Sequence, residues 1–164
     1  MTKEREAPIE AAPLNPDEFW RFCLRTYDIP QVKATCLALQ DNYSADVNML
    51  LLCCWLDKQR ISLSKNMWDD LYKLSADWQE NTLNPLRAKR RKATRPSAAY
   101  TALLDMELSR EKSEQKALLD FINKAPSALG HMPSAKPKNL LHYGAILKLP
   151  QASLISLTEA IMDS

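Results

Sequence analysis

Residues 45–59 read ADVNMLLLCCWLDKQ, and this stretch decides the fold. The run from Met49 to Leu56 is apolar on every side of a helix, which is typical of a helix at the centre of a bundle. It is far shorter than the ~18 residues that a membrane-spanning helix needs. Ser44 precedes it as a candidate N-cap, so the sequence predicts a buried central helix from Ala45 to Gln59.

The neighbouring stretches have the periodicity of amphipathic helices. Before the central helix, Asn15 and Pro16 predict the start of one helix, and Pro30 predicts the start of a second. After it, Ser64 and Ser97 are candidate caps of two longer helices. The sequence therefore predicts an all-α fold, an irregular or orthogonal bundle of about five helices with a C-terminal helical appendage.

The chain divides into four predicted parts. Residues 1–14 are charged and then rich in alanine and proline, which indicates a disordered tail. A helical domain follows over 15–123, then a proline-rich linker over 124–139 and a C-terminal helical segment over 140–164. The polar middle of the last long helix, Ser109 to Lys116, indicates a face that is solvated or lies beyond the main core.

Glycine is nearly absent, with Gly130 and Gly144 as the two instances. Phosphate-binding loops need several glycines so that the backbone can approach the anion closely. The chain before position 130 can therefore form neither a P-loop nor a dinucleotide fingerprint. Tight hairpin turns also rely on glycine, so a β-rich fold is disfavoured.

Composition and cysteine usage predict a cytoplasmic protein. The net charge is +2, and 46% of the residues are hydrophobic, as in ordinary globular domains. The N-terminal residues contain no apolar stretch typical of a secretory signal. The four cysteines lack the CxxC spacing of a zinc site, so we expect reduced, buried thiols at Cys23, Cys36, Cys53 and Cys54. We predict no cofactor, no metal site, no catalytic residues and no membrane association.

One concentrated run of positive charge, the basic segment, extends from Arg87 to Arg95. Asn84-Pro85 precedes it as a helix cap and first-turn proline, where we expect the preceding helix to break or kink. Six cations within nine residues attract phosphate, although a solvated face with local ion pairs is the alternative. The candidate anion or nucleic-acid contacts are Arg87, Lys89, Arg90, Arg91, Lys92 and Arg95.

Two polar residues stand at the start of the apolar central helix. Asp46 in the first turn suits capping and the helix dipole. Asn48 must find hydrogen-bond partners if its amide is buried. Together they form a candidate buried polar site, for which structural satisfaction and ligand binding both remain open.

Several motifs in combination resemble a known family. They are Phe19-Trp20-Arg21-Phe22, the stretch Asp46 to Leu52 with Cys54-Trp55-Leu56, and Trp78 followed by Pro85-Leu86-Arg87 and Arg90-Arg91. Over roughly residues 16–123 the chain resembles an uncharacterised bacterial family of about 160 residues, a domain of unknown function. The resemblance implies a small helical cytoplasmic protein and brings no activity or site residues.

Three functional hypotheses follow from these features. The first is a non-catalytic adaptor or regulatory protein that binds a protein partner through helix surfaces or the apolar side chains of its C-terminal segment. Those side chains are Leu140, Leu141, Ile146, Leu149, Leu154, Ile155, Leu157 and Ile161. The second is a nucleic-acid or ribosome-associated factor that uses the basic segment. The third and weakest is an enzyme with a pocket between helices near Asp46, Asn48 and Arg87.

Overall fold

The computed structural model describes residues 13–163, and most of them are helical. The elements in chain order are α1 (Pro16–Tyr27), α2 (Pro30–Tyr43), α3 (Val47–Lys58), β1 (Ile61–Leu63), α4 (Lys65–Trp78), a π-helical turn (Gln79–Leu83), α5 (Asn84–Lys92), α6 (Ala98–Asn123), a 3-10 turn (Pro126–Ala128), β2 (Leu129–His131), α7 (Lys138–Leu147) and α8 (Gln151–Met162). The all-α prediction is confirmed, with a short antiparallel pairing of β1 and β2 added to it. Among these residues, no helix combines the length and the hydropathy that a bilayer crossing requires.

The helix count differs from the prediction of about five, because six α-helical segments, α1 to α6, already precede residue 124. At Asn84-Pro85, where we predicted a break or kink with Asn84 as the cap, a π turn interrupts the α-helical path, and Asn84 lies inside α5 and is not its N-cap. Asn84 has helical torsion angles and donates its N–H to the carbonyl of Gln79, five residues back. Proline lacks the N–H that an α-helix needs, and the wider π turn before it lets the path continue from α4 into α5.

The central helix is α3, and its first cap differs from the prediction. Asp46 is the N-cap residue, and its carboxylate accepts the N–H of Asn48. Ser44 instead ends α2 in the left-handed conformation, with φ 56°. The predicted caps Asn15, Ser64 and Ser97 are confirmed at the starts of α1, α4 and α6.

The C-terminal helices pack onto the same core as the central helix, α7 against α3 and α8 against α2. Their buried apolar side chains are Leu140, Tyr143, Leu154, Leu157 and Ile161, and Leu149 is buried between the two helices. A Cβ at Gly144 would lie 2.7 Å from Leu154 Cδ1, so any larger residue there would require the Leu154 side chain to shift. The predicted tail, 1–14, lies outside the described residues apart from Pro13 and the buried Leu14.

A buried polar group, the Asn139 cluster, joins α7 to α3 and β1. Asn139 Nδ2 donates to Asp57 Oδ1 at 2.9 Å and to the Ile61 carbonyl at 2.6 Å. Its Oδ1 accepts from Leu63 N at 3.0 Å and from Trp68 Nε1 at 3.1 Å. The Asn139 amide thus makes all four bonds that it can make. Burial raises the pKa of Asp57 to about 6, while hydrogen bonds from the start of α7 oppose that rise.

Candidate functional site

A pocket with a cavity volume of about 220 Å³ lies between α1, α3 and α6, beside α5. Trp20 and Leu24 from α1 and Leu108 from α6 form an apolar mouth. Leu24 and Leu108 are each about half exposed, at 51% and 49%. The buried part of the lining mixes the polar side chains of Asp46, Asn48, Arg87 and Gln115 with the apolar Cys23 and Leu51, and Asp28 adds an exposed carboxyl group.

Asp46 and Asn48, the predicted buried polar site, both line this pocket, and both are buried. Asp46 Oδ1 accepts the N–H of Asn48 at 2.9 Å, and Oδ2 accepts the Ser75 hydroxyl at 2.6 Å. The backbone N–H of Asp46 donates to Tyr143 Oη at 3.0 Å. The start of α3 is thereby tied to α4 and α7, which fixes the position of the Asp46 carboxylate.

The Asn48 amide links α3 to α6. Its Nδ2 donates to the Glu111 carbonyl at 3.0 Å and to Glu114 Oε1 at 2.7 Å. Its Oδ1 accepts from Gln115 Nε2 at 2.9 Å. We refer to Asp46, Asn48, Ser75, Glu114 and Gln115 as the Glu114 cluster.

Glu114 is fully buried, and burial raises the pKa of its carboxyl. The charge of the neighbouring Asp46 raises this pKa further. Oε2 of Glu114 has no hydrogen-bond partner among the described residues. The raised pKa favours the neutral form of the Glu114 carboxyl group.

The structure places Arg87 in the pocket lining, and most of its donors are used by side chains of this chain. The guanidinium contacts Glu107 Oε1 at 3.2 Å, Gln79 Oε1 at 2.6 Å and Glu111 Oε1 at 3.5 Å. Arg90 also pairs with Glu107, at 2.6 Å. Burial and ion pairing remove Arg87 from the exposed surface, and Arg90 is partly withdrawn.

The other four cations of the basic segment, Lys89, Arg91, Lys92 and Arg95, are exposed. Within the described residues, none of the four makes an ion pair. The guanidinium of Arg95 lies 4.6 Å from the ring centroid of Tyr100. The run of six charges therefore divides into a buried part that faces the pocket and an exposed part that faces water.

Sequence reasoning missed the contribution of α6. Glu114 and Gln115 are buried, so the expectation of a solvated face over Ser109–Lys116 is wrong for these two residues. The available signal was the spacing of Glu107, Glu111 and Glu114, which continues into Leu118 at four, three and four residues. That is the spacing of one helix face, so these acids share the face that enters the core.

The four cysteines are free and buried. Cys23 lines the pocket and accepts a hydrogen bond from Gln115 Nε2 at 3.4 Å. Burial raises the pKa of Cys23 and raises that of Cys36 to about 12. Since the thiolate is the nucleophile, these cysteines are unreactive at neutral pH.

A family model described as a protein of unknown function, DUF2390, matches residues 18–118, well over half of the chain. The chain belongs to this family. The predicted family resemblance is confirmed, and every residue that lines the pocket lies inside the DUF2390 match. No curated protein and no solved structure matches the chain.

Proposed function

We propose that the chain is a non-catalytic binding protein whose pocket receives a small ligand, or a single side chain of a partner, with an apolar body and a polar end. The observation that carries this proposal is the mixed lining of the pocket, which combines the exposed apolar side chains of Leu24 and Leu108 with the buried polar side chains of Asp46 and Asn48. Binding sites in proteins combine an apolar wall with a few converging polar groups in this way.

The volume of the pocket limits the ligand. About 220 Å³ corresponds to roughly seven water molecules, taking about 30 Å³ for each. It is also below the ~300 Å³ at which pockets for drug-sized ligands begin. The occupant is therefore a small molecule or one side chain.

A substitution that blocks the mouth of the pocket tests this proposal. Leu108→Trp places a larger apolar side chain at a half-exposed position, so the fold is expected to remain intact by circular dichroism. Leu37→Trp is the matched control, because Leu37 is 38% exposed on α2 and does not line the pocket. A fragment library screened by NMR is expected to give ligands that shift the Trp20 indole signal and lose binding in L108W only. Fragments that bind L108W as tightly as the parent chain would overturn the proposal.

A protein partner remains part of the proposal, with a different contact surface. Of the apolar residues first assigned to partner binding, Leu140, Leu149, Leu154, Leu157 and Ile161 are committed to the chain's own core. We propose the rim of the pocket instead. There Leu24 and Leu108 are exposed, as is Leu104 one helical turn before Leu108.

A second candidate function is binding of nucleic acid or the ribosome through Lys89, Arg91, Lys92 and Arg95. Their exposure without ion pairs among the described residues favours it. RNA binding at low salt is expected to weaken in a K89A/R91A/K92A variant, measured by fluorescence anisotropy. Equal affinity of this variant and the parent chain contradicts the candidate. We also propose a bacterial cytoplasmic location, which the four free thiols support.

An enzymatic use of the same pocket is the remaining alternative. The Glu114 carboxyl group favours it, because burial raises its pKa and a raised pKa suits a general acid. If a fragment ligand is converted during the NMR screen, Glu114→Gln is expected to abolish the conversion, and an unaffected rate excludes this pair as its catalyst.

A further inference from the structure

Helix α7 lies outside the DUF2390 match, yet one of its side chains bonds to a residue of the pocket lining. Tyr143 is 1% exposed, and its hydroxyl accepts the backbone N–H of Asp46 at 3.0 Å. Asp46 lines the pocket and is the N-cap residue of α3. The C-terminal part of the chain therefore contacts the wall of the pocket directly.

The bond from Tyr143 holds a different part of Asp46 from the bonds inside the family match. There the Asp46 carboxylate accepts the N–H of Asn48 and the hydroxyl of Ser75. Those bonds hold the side chain, whereas Tyr143 holds the backbone N–H. A buried N–H that loses its acceptor costs free energy, so loss of Tyr143 favours a shift of the chain towards another partner. Such a shift moves Asp46, and with it Asn48, in the lining.

Helix α7 depends on α3 for its first turn. Pro137 occupies the N-cap position, and a proline side chain has no hydrogen-bond acceptor. The first N–H groups are instead bonded to Asp57, whose Oδ1 accepts from Asn139 N at 2.8 Å and whose Oδ2 accepts from Leu140 N at 3.1 Å. A helix of 10 residues is also marginal by itself in water. Docking of α7 on α3 and formation of its helix are therefore coupled.

Both ends of α3 are thus connected to α7, through Asp57 at one end and Asp46 at the other. We propose that the pocket binds its ligand tightly only while α7 is docked on α3, and that undocking of α7 weakens binding by releasing Asp46. The inference rests on the proposed function of the pocket and adds a means of regulating it. By linkage, a ligand in the pocket then stabilises the docked α7 to the same degree.

Tyr143→Phe tests this connection, because it removes the hydroxyl and keeps the ring that packs in the core. The probes are 2-phenylethanol and the library fragments that bind the parent chain but not L108W. We expect the affinity of these probes to fall at least about fivefold in Y143F, measured by NMR titration. The circular dichroism spectrum of the variant is expected to match that of the parent chain.

Two control variants separate this effect from a general loss of stability. Tyr72→Phe makes the same change at an exposed position of α4, outside the pocket lining. Ile161→Val removes one methylene at a buried position of α8, also outside the lining, and lowers stability. Both variants are expected to bind the probes within about twofold of the parent chain. A loss of affinity in I161V equal to that in Y143F contradicts the inference.

Amide hydrogen exchange measures the connection from both ends. In Y143F the Asp46 N–H lacks its acceptor and is expected to exchange at least about tenfold faster, whereas the N–H of the buried Trp68, bonded to the Ser64 carbonyl, keeps its rate. Saturation of the parent chain with a probe is expected to slow exchange of the α7 amides at least about threefold, and this slowing is expected to be absent in Y143F. Equal slowing in both chains excludes Tyr143 as the connection.

The results separate this inference from the proposed function. If the probes bind Y143F as tightly as the parent chain, and L108W prevents that binding, α7 does not control the pocket and the binding pocket stands. If the Asp46 N–H exchanges at the same rate in Y143F and the parent chain, Tyr143 does not hold Asp46 and the inference is overturned. If no compound binds the parent chain at the Trp20 site, both proposals fail.

Discussion

The Asn139 cluster and the Glu114 cluster are both buried, and both join a polar residue on α3 to a later helix, but they differ in completeness. In the first, the Asn139 amide satisfies all four of its hydrogen-bonding positions. In the second, Glu114 Oε2 and Gln115 Oε1 remain without partners, and Gln115 lies beside a cavity. Asn139 also lies outside the DUF2390 match, whereas Glu114 and Gln115 lie within it.

This difference distinguishes a structural polar cluster from a candidate site. A buried polar group without a partner costs free energy, so folding alone favours clusters in which each group is satisfied. The Asn139 cluster meets that condition and needs no ligand. The Glu114 cluster keeps an unpartnered acceptor on Gln115, a residue that also lines the pocket.

The largest effect is expected from Asn139→Ala. Removing the amide takes one of its three hydrogen bonds from the Asp57 carboxyl group and leaves the Trp68 indole N–H, the Leu63 N–H and the Ile61 carbonyl without their bonds to Asn139. We expect a loss of about 3–5 kcal/mol in the free energy of unfolding, measured in urea. Asn42→Ala on the exposed end of α2 is the control, with an expected change within about 0.5 kcal/mol. If N139A lowers the free energy of unfolding by less than about 1 kcal/mol, the Asn139 cluster does not have the structural role assigned to it.

Arg87→Ala is expected to cause the second-largest loss in the free energy of unfolding. It leaves Glu107 with Arg90 alone and deprives the half-buried Gln79 of its donor. We expect a loss of about 3 kcal/mol, since breaking a buried ion pair leaves a charge uncompensated. Arg91→Ala, on the exposed side of the same helix, is expected to be nearly neutral. Similar costs for the two variants would contradict the division of the basic segment.

Glu114→Gln is expected to reduce the loss of stability that the parent chain undergoes as the pH rises. A carboxyl whose pKa is raised in the folded state gives stability that is full below its ordinary pKa of 4.5 and is lost as the pH rises towards the folded value. Asp57 contributes a similar loss that ends near pH 6. Between pH 6.5 and 8 we therefore expect the parent chain to lose stability, at up to about 1.4 kcal/mol per pH unit for one proton.

The neutral amide that E114Q introduces keeps an acceptor for Asn48 and a donor for Asp46, so the variant is expected to lose less stability over the same pH range. Urea unfolding at several pH values measures the two slopes. Parallel slopes for the parent chain and the variant would show that Glu114 is ionised in the folded state.

The smallest loss in the free energy of unfolding is expected from a variant of the Glu114 cluster, which can be compared directly with N139A. Gln115→Met removes two donated bonds, to Asn48 and Cys23, but also removes a buried acceptor that already lacks a partner. We expect a loss of about 1 kcal/mol or less, well below that of N139A. Calorimetric melting of the two variants tests the order. A larger cost for Q115M than for N139A would reverse the assignment of the two clusters.

Part of this structure follows from local sequence. The apolar residues of α3 predict a central helix because a helix that is apolar on every side has to be enclosed by others. The caps Asn15, Ser64 and Ser97 are predictable because capping depends on a side chain and a backbone N–H only two or three residues away. The π turn between α4 and α5 was not predictable in the same way, since it packs against α6, which is distant in the sequence.

By itself, the sequence determined the helical class, the central helix and the polar pair Asp46 and Asn48 at its start, because these depend on neighbours along the chain. Only the tertiary structure decided what that pair contacts. Glu114 and Gln115 are more than sixty residues away from Asn48, and they reach it because α6 packs across α3. The same packing turned Arg87 inward to an ion pair and left Arg91 in water. Local periodicity places a side chain on a helix face, and only the packing of helices decides whether that face meets solvent, a partner or a pocket.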